Sequence, residues 1–472
     1  MPPWTLDTPF GFSIDLSFWQ WFFNLPSLDQ ALTLFALFGW IILFLFFFKA
    51  GAEMWVEYRQ TTKYVKNWHW VVLAVDVPAL FIQTPKAVEQ IFAHLSGAAV
   101  HIDVRDKFWV GKKQKWFSFE IISIEGYTQF LVRTEVEFRD LLEASIYAQY
   151  TEAEITEVED YVDNIPSRYP DKEYDILGVE FKLAEQDPYP IRTYENFEYN
   201  LSKDAVFSDP MAAILENFSR IGHGENLWMH IIVEPTGSGW KEDGINLVKE
   251  LMGGTVHHHE SLLSKFAGIP MVIVKELVKA WNANYEDEGG HEEDSPSPEK
   301  LSPGGKKTVE AIEQKISKVG FKSKIRAVYA ARKEAFAPNR CIEGIIGALS
   351  QFHDINRNSI VPYMSTHAHY DPKHKKSHRL QNTFIKTFKK RKIKWKKCEG
   401  YILNIEELAT VWHFPLPFVK TPLLQKTGYK RAEPPTGLPT DIMESPLRPK
   451  PPAKPVVDLP PEPPPPPDLP YA

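Results

Sequence analysis

A basic stretch at residues 373–397 is the strongest candidate for binding chemistry. It contains twelve Lys or Arg residues and no Asp or Glu, and Phe384, Phe388 and Trp395 lie among them. Lys and Arg neutralise phosphates, and aromatic rings stack on exposed bases. The candidate anionic-ligand residues are Lys386, Lys389, Lys390, Arg391, Lys392, Lys394, Lys396 and Lys397.

Four interpretations of this stretch remain open. It suits nucleic acid, it suits an anionic lipid or partner surface, and it is also what an ordinary solvated surface looks like. Part of it could instead pair internally with acidic residues at 152–160 or 286–294. The net charge of −7 argues against nucleic-acid binding by the protein as a whole, so any such contact is local.

Two groups of histidines raise the question of a metal site. One is His257–His259, and the other comprises His367, His369, His374 and His378. Metal binding needs ligands that converge with supported geometry, and neither group has the HExxH spacing. Because both fall in predicted loops, the sequence favours solvated polar loops and predicts no metal or other cofactor. A metal-dependent enzyme using the second group is the alternative.

The remaining catalytic motifs are absent from the sequence. Residues 235–241, PTGSGWK, lack the GxxxxGK[ST] spacing that aims backbone N–H groups at phosphates, and no GxSxG occurs. Cys341 lies beside apolar residues on a predicted helix, which indicates a buried thiol, and with Cys398 as the second cysteine no disulfide framework is implied. The sequence therefore predicts no catalytic or cofactor-binding residues and no enzyme activity.

An apolar run at residues 31–48 predicts how these residues are placed in the cell. It has no charged side chain, and a helix of this length spans about 27 Å. Lys and Arg are missing from 1–30 and follow the run, which favours an outer N-terminus. We therefore expect a single-pass protein of the plasma (inner) membrane, with segment 1–30 outside, a transmembrane helix at 31–48, a juxtamembrane linker at 49–69 and the bulk in the cytoplasm.

The periodicity after this run predicts an α+β protein of two ferredoxin-like (βαββαβ) units. In 70–165, strands at 71–77, 116–124 and 127–133 and a closing strand at 153–161 alternate with two amphipathic helices. The second α+β domain, 170–420, repeats this order with an insertion at 236–305. Its part 285–305 and the Pro-rich tail 421–472 have compositions typical of disorder.

Several stretches resemble a family of uncharacterised bacterial membrane proteins, common in small-genome candidate phyla. The most specific are YAQYTEAEITEVEDY (residues 147–161) and EELATVWHFP (residues 406–415). The supporting stretches are residues 53–60, 85–97, 117–122, 138–146, 402–405, 420–425 and 433–439. In many members this region precedes a TraG/TraD-like type IV secretion coupling ATPase.

The resemblance implies a membrane-proximal, non-catalytic scaffold or accessory protein of a type IV secretion or conjugation-like system. This chain turns into a proline tail where the fused members continue toward the ATPase, and it has no Walker motif. We therefore expect membrane lipid and proteins of a secretion assembly as partners, with a separate coupling ATPase and a second copy of the chain as candidates. The alternative is a membrane-tethered nucleic-acid-binding module that uses 373–397.

Overall fold

The computed structural model describes residues 5–7, 13–15, 17–78, 83–199, 206–207, 209–253, 301–368, 370–394 and 400–416. They form two compact units, one from 1–68 and 100–114 and the other from 69–99 and 115–472. Several predicted features lie outside the described residues, namely 285–300 of the predicted disordered segment, the Pro-rich tail, His257–His259, His369, Trp395, Lys396 and Lys397.

The first unit is mainly helical. Its elements are the paired strands β1 (Thr5–Asp7) and β2 (Ser13–Asp15) and the helices α1 (Ser17–Phe23) and α2 (Ser27–Tyr58). A π-helical turn continues α2 at Arg59–Tyr64. The indole Nε1 of Trp55 donates to the carbonyl oxygen of Phe108 at 3.0 Å and so ties α2 to the 100–114 segment.

The predicted membrane anchor is corrected by this unit. Across the described residues, no helix is both long enough and apolar enough to cross a bilayer. The run 31–48 is one part of α2, a helix of 32 residues that also includes Asp29, Lys49, Glu53 and Glu57. The expected single-pass architecture, the inner-membrane location and the outer N-terminus are therefore wrong.

In its described residues, the second unit is built on one antiparallel sheet of nine strands. Its strands are β3 (Trp70–Asp76), β4 (Phe117–Ile124), β5 (Tyr127–Glu135), β6 (Glu154–Val158), β7 (Tyr174–Leu183), β10 (Glu225–Pro235), β11 (Gly320–Arg332), β12 (Ile360–Ser365) and β13 (Tyr401–Asn404). The order is β12-β7-β11-β10-β4-β5-β3-β6, and β13 pairs with one end of β11. The short strands β8 (Glu198–Tyr199) and β9 (Val206–Phe207) form a separate pair.

The prediction of two ferredoxin-like units is wrong, because the two halves share one sheet. Strand β4 of the first half pairs with β10 of the second over eight residues, from Asn226↔Ile124 to Val233↔Phe117. One continuous apolar core includes residues from both halves, for example Phe119 and Ile325. A core that runs across the join makes the halves one packed body.

Eight helices accompany the sheet in the described part of this unit. They are α3 (Pro85–Leu95), α4 (Arg139–Gln149), α5 (Met211–Ser219), α6 (Trp240–Leu251), α7 (Pro303–Ser317), α8 (Pro338–Ser350), α9 (Lys375–Lys389) and α10 (Ile405–Val411). Helices α3, α4, α5, α8 and α10 contribute to the large core on one sheet face. Helix α9 and residues 161–169 cover the other face with a smaller core.

The individual elements agree well with the periodicity. The predicted strands at 71–77, 116–124 and 127–133 are confirmed within a few residues. Helix α7 begins at Pro303, inside the segment predicted to be disordered, with the Ser302 hydroxyl accepting from Gly305 N at 3.1 Å. Helix α9 was not predicted, because its polar residues obscured the apolar spacing of its buried face.

Candidate anionic-ligand surface

Helix α9 contains 15 of the 25 residues of the basic stretch and is amphipathic. Residues 375–389 contain no Gly or Pro, and Phe384, Ile385 and Phe388 are fully buried against the sheet. Spacing of i, i+1 and i+4 places these side chains on one side of a helix. His374 precedes the helix and His378 lies in its first turns, so these two histidines are not in a continuous loop as predicted.

The opposite side of α9 presents a line of cations. We call Lys375, Arg379, Lys386 and Lys390 the basic stripe; all four are exposed. At 3.6 residues per turn they fall within an arc of about 60°, over a length of about 22 Å. None of the four side chains forms a hydrogen bond or ion pair with another residue that the structure describes. A shallow groove runs along the first three of them and is lined also by His378, Asn382 and Thr383.

The predicted ligand residues divide into two sets. Lys386, Lys390 and Lys394 are exposed, and Lys392 is half-buried. Lys389 instead donates from Nζ to the carbonyl oxygen of Ile165 at 2.7 Å and to Ser167 Oγ at 2.8 Å, and burial lowers its pKa. Lys389 therefore holds the end of α9 against the fold.

Arg391 is buried at the end of α9. Its Nε donates to Glu120 Oε1 at 2.9 Å, and its Nη1 donates to Asp160 Oδ2 at 2.6 Å. Burial opposes the charge, but the carboxylates of Glu120 and Asp160 outweigh it and raise the pKa of Arg391. The internal-pairing interpretation is thus the one that fits Arg391, whose partner Asp160 lies in the predicted acidic segment.

A row of ionisable residues crosses the sheet beneath α9. Glu180, Arg326, His230 and Glu120 lie side by side on β7, β11, β10 and β4, and none has an exposed side chain. Glu180 pairs with Arg326 Nη2 at 3.3 Å and with Lys324 Nζ at 3.1 Å. Buried charges of this kind are tolerated when they are paired.

Tyr161 links the carboxylate and the imidazole of this row. Its hydroxyl lies 2.6 Å from Glu120 Oε2 and 2.6 Å from His230 Nε2. Because a hydroxyl has one proton and the ionised carboxylate can only accept, Tyr161 donates to Glu120 and accepts from the Nε2–H of His230. Burial, followed by the positive charge of Arg391, lowers the pKa of His230 and keeps the ring neutral.

The sequence did not identify Glu120, His230 or Glu180 as members of a site. Glu120 alternates with apolar residues in β4, which predicts a solvated face for its side chain. Both faces of the sheet are covered, however, so the polar side chains of β4 are buried like the apolar ones. A charged residue in a strand that is covered on both faces needs a partner. This requirement is the feature that could have identified Glu120 as part of a buried pair.

The two most specific resembling stretches have structural roles. Glu407 is buried, lies 3.0 Å from Lys315 Nζ and accepts from the backbone N–H groups of Ile191 and Asn404, at 2.9 Å each. His413 Nε2 lies 2.9 Å from Asp209 Oδ1, and the Asp209 carboxylate also accepts from Leu416 N. Tyr150 and Tyr161 of the other stretch are packed in the two cores.

The described ranges contain no group of three or more His, Cys, Asp or Glu side chains that converges on a metal position. Cys341 is buried, as predicted, and burial raises the pKa of its thiol. The ionisable groups that do come together under α9 are the paired ones described above.

Comparison with known proteins gives one match. No curated protein and no solved structure is significantly similar to this chain. A family model described as a domain of unknown function, DUF8128, matches residues 81–427, about three quarters of the chain. The match includes the strands β4 to β13 and the basic stripe. The chain therefore belongs to the DUF8128 family.

Proposed function

We propose that the protein is a non-catalytic scaffold or accessory protein of a type IV secretion or conjugation-like assembly. The main support is how its charged groups are arranged. The buried ones pair with each other, as Arg391 does with Glu120 and Lys315 with Glu407. The cations of the basic stripe instead face outward. This arrangement suits a rigid body that binds partners through its surface.

The resembling stretches support the same role. Within the described residues they supply core and pairing side chains, such as Glu407 and Tyr161. What this chain has in common with the ATPase-fused proteins it resembles is therefore a folded platform. In the proteins that this chain resembles, the platform is often fused to a coupling ATPase. We therefore propose that its partner is a coupling ATPase on a separate chain.

Co-purification tests the proposal. The full chain is tagged and expressed together with a TraG/TraD-like coupling ATPase from the same genome, and a P-loop ATPase of another class serves as the control. We expect the chain and the coupling ATPase to elute together in size-exclusion chromatography, and the control ATPase to elute separately. A chain that always elutes alone and monomeric would overturn the scaffold proposal.

A further inference from the structure

We propose that the basic stripe binds the phosphate backbone of double-stranded nucleic acid without reading its sequence. This inference concerns a different partner from the coupling ATPase and does not depend on the assembly role. It rests on which side chains α9 exposes and which it buries.

The stripe offers charge in a regular line. Lys375 and Arg379 are four residues apart, as are Lys386 and Lys390, so each pair is separated by about 6 Å along the helix. A duplex carries one negative charge for each 1.7 Å of its axis, or about 13 charges over the 22 Å of the stripe. Since the stripe side chains have no partner among the described residues, binding phosphates would not require breaking an existing ion pair.

The buried aromatic residues argue against a single strand. In the nucleic-acid interpretation of the sequence, Phe384 and Phe388 stack on bases, but both rings lie in the core between α9 and the sheet. Sequence-tolerant binding of single strands depends on such stacking. Without these rings, α9 can supply phosphate contacts but not base contacts, and phosphate contacts are equally available on a duplex.

A membrane or a protein partner fits the stripe less well. A helix that lies on lipid inserts its apolar face, but the apolar face of α9 is covered by the sheet. A protein interface normally has an apolar centre, whereas the groove along the stripe is lined by Lys375, His378, Arg379, Asn382, Thr383 and Lys386. The ligand that best fits an exposed surface of this kind is one whose binding is dominated by charge.

Fluorescence anisotropy with a labelled 25-bp DNA duplex and the full chain tests the inference. Four phosphate contacts predict a slope of log K against log salt of about −3.6, or a loss of about 150-fold in affinity between 50 and 200 mM KCl. The stripe variant replaces all four cations with glutamine (K375Q, R379Q, K386Q and K390Q). We expect it to lose at least about tenfold in affinity at 50 mM KCl and most of the salt slope.

A matched variant controls for net charge. Four exposed lysines of α6 and α7 are replaced, giving the same loss of four charges (K241Q, K249Q, K306Q and K307Q). We expect this variant to bind the duplex within about twofold of the wild type at 50 mM KCl. A third variant (K375R, K386R and K390R) keeps the charges and should keep the affinity. Circular dichroism and urea unfolding check that all variants are folded.

Three results would overturn the inference. The first is equal binding by the stripe variant and the matched variant. The second is binding to phosphatidylserine vesicles but not to the duplex, which would make the stripe a lipid site. The third is a preference for a single strand that the Tyr370→Ala variant removes, since Tyr370 is 87% exposed just before α9 and could stack on a base.

Discussion

Arg391 and Glu120 are 271 positions apart in the sequence, yet the guanidinium Nε and the carboxylate Oε1 lie 2.9 Å apart beneath α9. Neither side chain is exposed. The same guanidinium also binds Asp160, which follows β6. One residue at the end of α9 therefore joins this helix to β4 and to the segment that covers the second face of the sheet.

Loss of the Arg391 side chain should strongly destabilise the protein. The Arg391→Met variant leaves the Glu120 carboxylate buried without its cation, and breaking a buried pair costs about 3–5 kcal/mol. Urea unfolding measures this loss in the free energy of unfolding. The control is Lys390→Met, in which the neighbouring exposed cation is removed, and its effect should stay within about 0.5 kcal/mol. Similar losses in the two variants would mean that the pair contributes no specific stability.

The buried position of Arg391 also limits how the basic stretch can be tested. Reversing the charge at 389–392 as a block would include Arg391 and Lys389, which hold α9 to the fold. A loss of binding in such a variant would report unfolding. Variants of the basic stripe avoid both residues.

His230 should make the protein less stable in acid. Burial and the charge of Arg391 lower the pKa of His230, so below pH 6.5 the unfolded chain takes up a proton that the folded chain does not. The unfolded state then binds more protons, and stability falls as the pH falls, by at most about 2 kcal/mol between pH 6.5 and pH 5. Urea unfolding at pH 7 and pH 5 should show a loss of stability in the wild type and a smaller loss in His230→Gln.

The exposed His94 provides the control for this pH effect. His94→Gln removes a histidine from the surface of α3, so its stability should change between pH 7 and pH 5 as the wild type does. If His230→Gln and His94→Gln had the same pH dependence, another group would be responsible for the acid sensitivity.

Local periodicity was sufficient to predict most elements of the sheet unit. The strand at 116–124 and the helix faces at Met211–Ile221 and Ile342–Phe352 repeat apolar residues at the period of their own structure. The pairing of β4 with β10 could not be predicted in the same way. The alternation of polar and apolar residues in either strand does not show whether the strand lies at the edge of a sheet or pairs with a strand of the other half.

The charged residues were harder to place. In the run KKRK at 389–392, Lys390 is exposed and Arg391 is fully buried, although composition gives them the same expectation. The difference arises from position: Arg391 follows the last turn of α9 with φ at +46° and turns toward the sheet. Its partners Glu120 and Asp160 come from distant parts of the chain. The sequence alone therefore indicated pairing between basic and acidic segments, but not which cation pairs with which carboxylate.

Gly178 should be essential for the packing of α9. A Cβ atom at this position of β7 would lie 2.2 Å from Cε1 of Phe384, a buried ring that cannot move without shifting the helix. Gly178→Ala should therefore cost about 1–3 kcal/mol in the free energy of unfolding, as overpacked cores do. It should also weaken duplex binding if α9 shifts, which anisotropy at 50 mM KCl would detect.

Gly347 is the matched control for this substitution. It lies inside α8, and a Cβ atom there has no heavy atom within 4 Å. Because alanine is a better helix former, Gly347→Ala should stabilise the protein by up to about 1 kcal/mol. Gly178→Ala with a stability equal to that of the wild type would show that β7 and α9 separate easily, contrary to the close packing described above.

The Lys315–Glu407 pair should behave as a coupled unit. Both side chains are buried, with Nζ 3.0 Å from Oε2. Burial raises the pKa of Glu407, and Lys315 counteracts part of that increase. Lys315→Met should therefore cost about 3–5 kcal/mol at pH 7, whereas Lys315→Met combined with Glu407→Gln should cost less than the sum of the single changes by about 1 kcal/mol or more. Urea unfolding of the four proteins gives this coupling energy.

The pH dependence of Lys315→Met provides an independent measure of the pair. Without the cation, the folded-state pKa of Glu407 should rise further above its unfolded value, so the folded state binds more protons and stability increases as the pH falls from 7 to 5. The double variant has no carboxylate at 407 and should lack this gain. The exposed pair Arg220 and Glu216 gives the control cycle, with a coupling of about 0.3–0.5 kcal/mol. A coupling at 315 and 407 no larger than that of the surface pair would show that the buried charges are stabilised independently of each other.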